Sequence, residues 1–134
     1  MTKTNLTALV AASSSAYQKA YAPYSNFRVG AALLDENNTL HSGCNVENSA
    51  YPIGCCAEQA AVAAMILSGG RFIKDIVIQA DKNNPCPPCG ACRQVIAEHS
   101  NAQTRIHLIN SDHSLSSYRI EELLPQAFTP NHFK

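Results

Sequence analysis

Six cysteines, at positions 44, 55, 56, 86, 89 and 92, constrain this 134-residue chain more than any other feature. In an exported protein of this size they would be read as three disulfides. Nothing directs the chain outward, however. Met1 to Val10 has no long apolar core after Lys3, and the apolar run Ala60 to Leu67 is too short to span a bilayer. The expectation is therefore a cytoplasmic protein without a membrane segment, whose cysteines bind metal or do chemistry. The fold must then bring residues more than thirty positions apart to one point. A single domain over residues 1–134 has room for this, since a chain of this length buries roughly two-thirds of its unfolded surface. Ten basic and ten acidic residues cancel, which argues against a nucleic-acid groove or an anionic membrane as partner. With only 15% of residues charged, part of the surface is expected to lie against partner subunits.

Periodicity and turn signals divide the chain. Asn5 to Ala20 carries a helical stripe with Thr4 as N-cap, ended by Ala22-Pro23-Tyr24-Ser25. Arg28 to Leu34 and Leu40 to Cys44 read as a hairpin around residues 35–38. A turn at 51–54 leads to a helix from Cys56 to Ser68, stopped by Gly69-Gly70. Ile73 to Ala80 is a buried strand, and a proline-rich loop to Pro88 precedes a helix from Gly90 to His99. Arg105 to Ile109 is a further strand, Arg119 to Leu124 a last short helix, and Thr129 to Lys134 a loosely ordered tail. This order implies an α/β fold with a mixed β-sheet, an initial hairpin and helical crossovers.

Two motifs carry chemistry, and each opens a helix. They are Cys56-Ala57-Glu58 and Pro88-Cys89-Gly90-Ala91-Cys92. Zinc accepts thiolates in tetrahedral geometry, and a catalytic site keeps one position for water. Helix N-termini favour thiolates through their free N–H groups and positive dipole end. Three cysteines from two such ends meet that need, and Glu58 can face the open position without being a ligand. This pattern is the one zinc deaminases of nucleobases use, the glutamate carrying protons. Two alternatives stay open: Cys86-Pro87-Pro88-Cys89 is an overlapping C-x-x-C, and Cys55 competes with Cys56. Cys89 and Cys92 are preferred because Cys89 opens the helix, and Cys56 because Ala57-Glu58 follows it. Cys44, Cys55 and Cys86 are then free thiols.

Six blocks follow one another in order: residues 22–27 (APYSNF), 29–33 (VGAAL), 43–48 (GCNVEN), 56–58 (CAE), 88–94 (PCGACRQ) and 123–128 (LLPQAF). In these, over nearly its whole length, the chain resembles the small all-cysteine cytidine deaminases. The resemblance implies their three-layer α/β fold with helices on both faces of the sheet. It implies one Zn2+ per chain on Cys56, Cys89 and Cys92, with Glu58 catalytic. The reaction implied is hydrolysis at the C–N bond of a cyclic amidine, turning cytidine and deoxycytidine into uridine and deoxyuridine plus ammonia in pyrimidine salvage. It also implies a homotetramer with shared active sites.

Further roles come from the same resemblance. Asn45 and Glu47 match a pair that binds ribose hydroxyl, and Phe27 matches a ring packed on pyrimidine or sugar. Asn48, Ser49, Ala50 and Tyr51 match a loop that closes a neighbour's site, and Phe128 an aromatic that crosses a subunit boundary. Val46 and Ala57 belong to the same substrate-binding set. Gln59 stands where many members have an arginine that hydrogen-bonds the ligand sulfurs, so Arg93, helix N-termini and the Gln59 amide are left to offset the thiolate charge. Read without the family, Asn45 and Glu47 are solvated groups at a strand end, Phe27 a core aromatic, and Phe128 a ring folded on its own core. The alternative functions are deamination of a modified cytosine nucleoside such as blasticidin S, or a non-catalytic zinc-binding module.

Overall fold

The computed structural model describes residues 3–81 and 85–134. Its centre is strand β1 (Val29–Asp35), apolar on both faces and therefore interior to the sheet. Ala31 and Leu33 point into one core, Ala32 and Leu34 into the other. Strand β2 (Leu40–Cys44) pairs antiparallel with β1, from Leu34 opposite Leu40 to Gly30 opposite Cys44. The turn between them passes through Asn38 at φ 62°, a left-handed position asparagine tolerates. Strand β3 (Ile73–Ala80) pairs antiparallel with the other edge of β1, ending with Val29 opposite Ala80. Strand β4 (Arg105–Ile109) runs parallel to β3, and β5 (Leu115–Tyr118) antiparallel to β4, giving the order β2-β1-β3-β4-β5.

Helix α1 (Lys3–Gln18) covers one face, with Leu9 buried and Leu6 and Val10 packed around it. Helices α2 (Ala57–Leu67) and α3 (Gly90–Glu98) cover the other through Ala61, Val62, Met65 and Ile96. The short α4 (Ile120–Leu123) adds Ile120 and Leu123 to that side. The result is the three-layer arrangement, helices on both faces of a mixed sheet, that the sequence implied. No helix among the described residues is long and apolar enough to cross a membrane.

Gly43 decides how closely α2 sits on the sheet. A Cβ there would lie 2.5 Å from the Ala61 nitrogen and 2.7 Å from the Ala57 carbonyl oxygen, so the first turns of α2 rest directly on β2. The far end of α2 is closed by Gly69 at φ +97°, as the Gly69-Gly70 pair suggested. Buried polar groups collect at the opposite end of β1. Asp35 accepts the N–H groups of Asn37 and Thr39 and meets Nε2 of His41 at 2.8 Å. Burial pushes the Asp35 carboxyl up, but the His41 ring and those two N–H groups outweigh it and hold it below the usual range.

Two expectations need correction, and one strand is added. Strand β5 falls in a stretch to which the sequence assigns no element, because Ser111 to Tyr118 is serine-rich and lacks an apolar stripe. It is an edge strand, held to β4 by ladder bonds rather than by burial of alternate side chains. Thr4 is not an N-cap, because α1 already includes Lys3. The tail is ordered: Pro130–His132 forms a 3-10 turn, and the Phe128 ring stacks on His132 and Phe133 at 5.5 and 6.0 Å.

Gly43→Ala is expected to lower stability by about 1–3 kcal/mol, the usual cost of overpacking, because helix and strand backbone cannot both stay in place. Urea unfolding followed by circular dichroism should show a lower midpoint with unchanged slope.

Candidate active site

Two helix N-termini converge at the end of the sheet where β1 begins. Cys56 occupies the N-cap position of α2 and Cys89 that of α3, both with extended backbone, and Cys92 is buried in the first turn of α3. The sulfurs of Cys56, Cys89 and Cys92 all lie within 4.8 Å of one another. Neither Cys86 nor Cys55 belongs to that cluster among the described residues, so the geometry favours the C-A-E and P-C-x-x-C register. Three thiols with a side open to a cavity suit zinc, a borderline-soft ion that takes sulfur ligands and keeps a water in catalytic sites. At Cys89 burial alone would raise the thiol pKa, but N–H groups of Cys92 and Ala91 and the neighbouring thiols bring it below the ordinary value.

Glu58 follows Cys56 by two residues and is 5% exposed. Burial pushes its carboxyl above the ordinary range, only partly offset by its own backbone N–H and by Cys92. A buried carboxylate with raised proton affinity is suited to taking up and returning protons. It faces a cavity of about 280 Å³ that also contains Cys56, Cys89 and Cys92, and whose further walls include Phe27, Val29, Asn45, Ala57 and Ile78.

Asn45 and Glu47 both reach this cavity, and each is also tied to neighbouring backbone. The Asn45 side chain accepts the Val29 N–H at 2.8 Å and donates to the Phe27 carbonyl at 2.9 Å. Glu47 accepts the N–H groups of Tyr24 and Ser25 and the Ser25 hydroxyl. The Ser25 hydroxyl is the main reason its carboxyl sits below the ordinary range. Between them Val46 points outward, while its backbone pairs with Cys55. The cavity also takes in Ser25, Ile78 and Pro87, to which the sequence assigned no site role, and Cys86, the alternative ligand read there as a free thiol. Ile78 looked like plain core, and Cys86 like a residue set back in the loop.

Other expected residues fall elsewhere. Asn48 and Tyr51 line a separate depression with Tyr24 and Gly54, which shares Ser25 and Glu47 with the cysteine cavity. Ser49 and Ala50 lie in the exposed loop between them. Gln59 is half-buried in the first turn of α2 and makes no side-chain hydrogen bond among the described residues. Arg93 donates to the carbonyls of Pro88 and Leu123 at 2.8 and 2.7 Å, so it braces the Cys89 loop against α4. Phe128 is 61% exposed and lies outside the cysteine cavity of its own chain. Gln94 holds its carbonyl at 3.0 Å.

Comparison with known proteins agrees with this geometry. The family model described as the cytidine and deoxycytidylate deaminase zinc-binding region matches residues 3–108. The cytidine deaminase of Sporosarcina psychrophila is 46% identical over 121 residues, covering 90% of this chain and 89% of that protein. That of Halalkalibacterium halodurans is 44% identical over 114 residues, 85% of this chain and 86% of the other. Among solved structures, the cytidine deaminase of Burkholderia pseudomallei superposes with a TM-score of 0.86 at 39% identity, covering 96% of this chain and all of that one. The Mycobacterium tuberculosis cytidine deaminase gives 0.80 at 37% identity, covering 92% and 97% of the two chains.

Single alanine substitutions at Cys56, Cys89 and Cys92 are each expected to drop bound zinc well below one per chain, measured by elemental analysis of the purified protein. Cys86→Ala should keep its metal. Loss of zinc from Cys86→Ala with retention in Cys92→Ala would establish the overlapping register instead.

Proposed function

This chain belongs to the cytidine and deoxycytidylate deaminase family, and on that footing we propose that it hydrolyses cytidine and deoxycytidine to uridine and deoxyuridine with release of ammonia. One observation carries the reading: three thiols from two helix N-termini meet beside a buried glutamate at the wall of a nucleoside-sized cavity. Zinc is the cofactor, and Cys56, Cys89 and Cys92 would hold one ion per chain. When bound, it lowers the pKa of a coordinated water towards neutrality.

The remaining steps belong to the protein. Glu58 takes a proton from the attacking water and places it on N3 of the cytosine ring as oxygen adds to C4. It then takes the second proton and delivers it to the 4-amino group, which leaves as ammonia while N3 keeps its hydrogen. Water and cytidine are consumed, uridine and ammonia formed, and the carboxylate is regenerated. Phe27 and Ile78 supply apolar walls for the ring. Three of the four lone-pair sites of Glu47 are already occupied by the Tyr24–Ser25 turn, leaving one on Oε2 for a ribose hydroxyl. Asn45 keeps one amide hydrogen for the same purpose.

The proposed working unit is a homotetramer with shared sites. What supports it is the position of Phe128, outside its own cavity, together with other large exposed apolar side chains: Tyr51 is 73% exposed, Ile53 69% and Phe133 70%. The loop at 48–51 would close over a neighbour's substrate, and Phe128 would enter from a third direction. A cytoplasmic place in pyrimidine salvage suits six unpaired cysteines, which an oxidising compartment would put at risk.

A nucleoside panel followed by ultraviolet absorbance, with ammonia measured in parallel, tests the assignment; zinc without ammonia release from cytidine would mark a binding module. Glu58→Gln is expected to lose about 10²–10⁴-fold or more in turnover while keeping its zinc, since a positioned acid–base group contributes that much. Near-normal turnover would refute the proton path. Sedimentation should show four chains at assay concentration, and Phe128→Ala should raise KM for cytidine. A fully active monomer would exclude shared sites.

A further inference from the structure

The stretch Phe27 to Val29 lies at the mouth of the cavity, just where the sheet runs out. On the β2 side the ladder stops at Gly30 opposite Cys44, and on the β3 side at Val29 opposite Ala80. Beyond those points two side chains take over the work of the missing strands. From the β2 side, Asn45 accepts the Val29 N–H and donates to the Phe27 carbonyl. From the β3 side, Asp81 Oδ2 accepts the Arg28 N–H at 2.7 Å. The same carboxylate receives the Arg28 side chain, Nε at 3.3 Å and a terminal nitrogen at 3.2 Å, and the hydroxyl of Tyr17 from the end of α1. Arg28 also donates to the Tyr17 hydroxyl at 2.9 Å and lies 4.5 Å above the centre of its ring. Asp81 is moreover the residue from which the chain leaves β3 towards Cys86 and Cys89.

We propose that Asp81, through its carboxylate oxygen on the Arg28 main-chain N–H, is a positioning residue that fixes the Phe27 backbone from the β3 side and so sets the wall on which the pyrimidine nucleoside packs. The assignment rests on the deaminase reading above. Asp81 touches no reacting atom and lies outside the cysteine cavity. Its main effect is therefore on binding. The Arg28 guanidinium is 41% exposed, and ion pairs so open to water add little to stability. The main-chain N–H is different. Without the Asp81 carboxylate it has no ladder partner, and the segment carrying Phe27 is anchored on one flank only.

Four proteins decide the matter: wild type, Asp81→Ala, Asp81→Asn and Arg28→Gln. Asp81→Ala removes the acceptor, and KM for cytidine and Kd for uridine are expected to rise about tenfold, with kcat within about twofold and zinc content unchanged. Asp81→Asn keeps an acceptor oxygen but not the charge, and should restore both constants to within about threefold of wild type. Arg28→Gln keeps its own N–H and loses an exposed ion pair, so both constants and the thermal midpoint should stay near wild type. The proposal is overturned if Asp81→Ala lowers the thermal midpoint without moving KM or uridine affinity. It is equally overturned if Asp81→Asn or Arg28→Gln loses affinity about tenfold, since binding would then follow charge rather than the acceptor. Should Asp81→Ala not fold, those last two variants still decide. Wild-type protein that releases no ammonia from cytidine removes the deaminase reading itself, which the variant comparison leaves untouched.

Discussion

Convergence of two helix N-termini on one end of the sheet is the condition the rest of the molecule serves. Each terminus leaves backbone N–H groups unpaired and carries the positive end of a helix dipole. Of the thiols placed there, Cys89 is held below the ordinary range, whereas burial pushes those of Cys56 and Cys92 up, and a metal drawing on both termini would hold them as thiolates and join α2 to α3. For the termini to meet, the helices must lie on the same face of the sheet and close to it. Ala57 and Ala61 let α2 lie flat, and Gly43 lets the β2 backbone come within van der Waals contact of the helix backbone. The core cluster in which Ala61, Val62 and Met65 of α2 and Ile96 of α3 pack with Ala31, Leu33 and Ile76 of the sheet holds this arrangement by burial.

The sheet supplies the frame and its frayed end supplies the cavity. Pairing stops at Gly30 opposite Cys44 on the β2 side and at Val29 opposite Ala80 on the β3 side, and Phe27, Val29, Asn45, Glu47 and Ile78, at or near these ends, line the cavity. An unpaired strand end would ordinarily be mobile. Here Asn45 and Asp81 substitute side-chain groups for ladder partners, and Glu47 caps the Tyr24–Ser25 turn in the same manner. Polar side chains thus give rigidity without closing the space that a continued strand would fill. The apolar walls, Phe27, Val29 and Ile78, are what remains facing the cavity once those polar groups are committed.

Polar burial is handled differently at the other end of the sheet. Asp35 with His41, and Asp75 with His107, make short bonds between buried side chains, and His107 passes on to the Ser117 hydroxyl at 2.7 Å. No buried side-chain nitrogen or oxygen among the described residues is left without a partner. These groups tie β1 to β2 and β3 to β4 to β5 across the strands. The edge strand β5, poor in apolar side chains, is held partly in this way. The site end and the polar-stapled far end are separated by the length of the central strands.

The order of elements, the cysteine pair of motifs and the buried character of β1 and β3 were legible in the sequence because local rules govern them. Apolar runs, turn residues and helix-opening motifs act over a few residues. Thus Cys56-Ala57-Glu58 and Cys89-Gly90-Ala91-Cys92 are placed at helix starts by local sequence alone. What tertiary structure decided depends on partners distant in the chain. Strand β5 exists because β4 offers it a ladder, not because its own residues demand one. Cys86 enters the cavity wall while remaining outside the sulfur cluster, a distinction that spacing could not make. Arg93 turned from the sulfurs to the carbonyls of Pro88 and Leu123, and Asp81, unremarkable in sequence, met Arg28 across fifty-three positions. Those choices follow from which donors and acceptors packing leaves unpaired, and packing is settled only when the whole chain has folded.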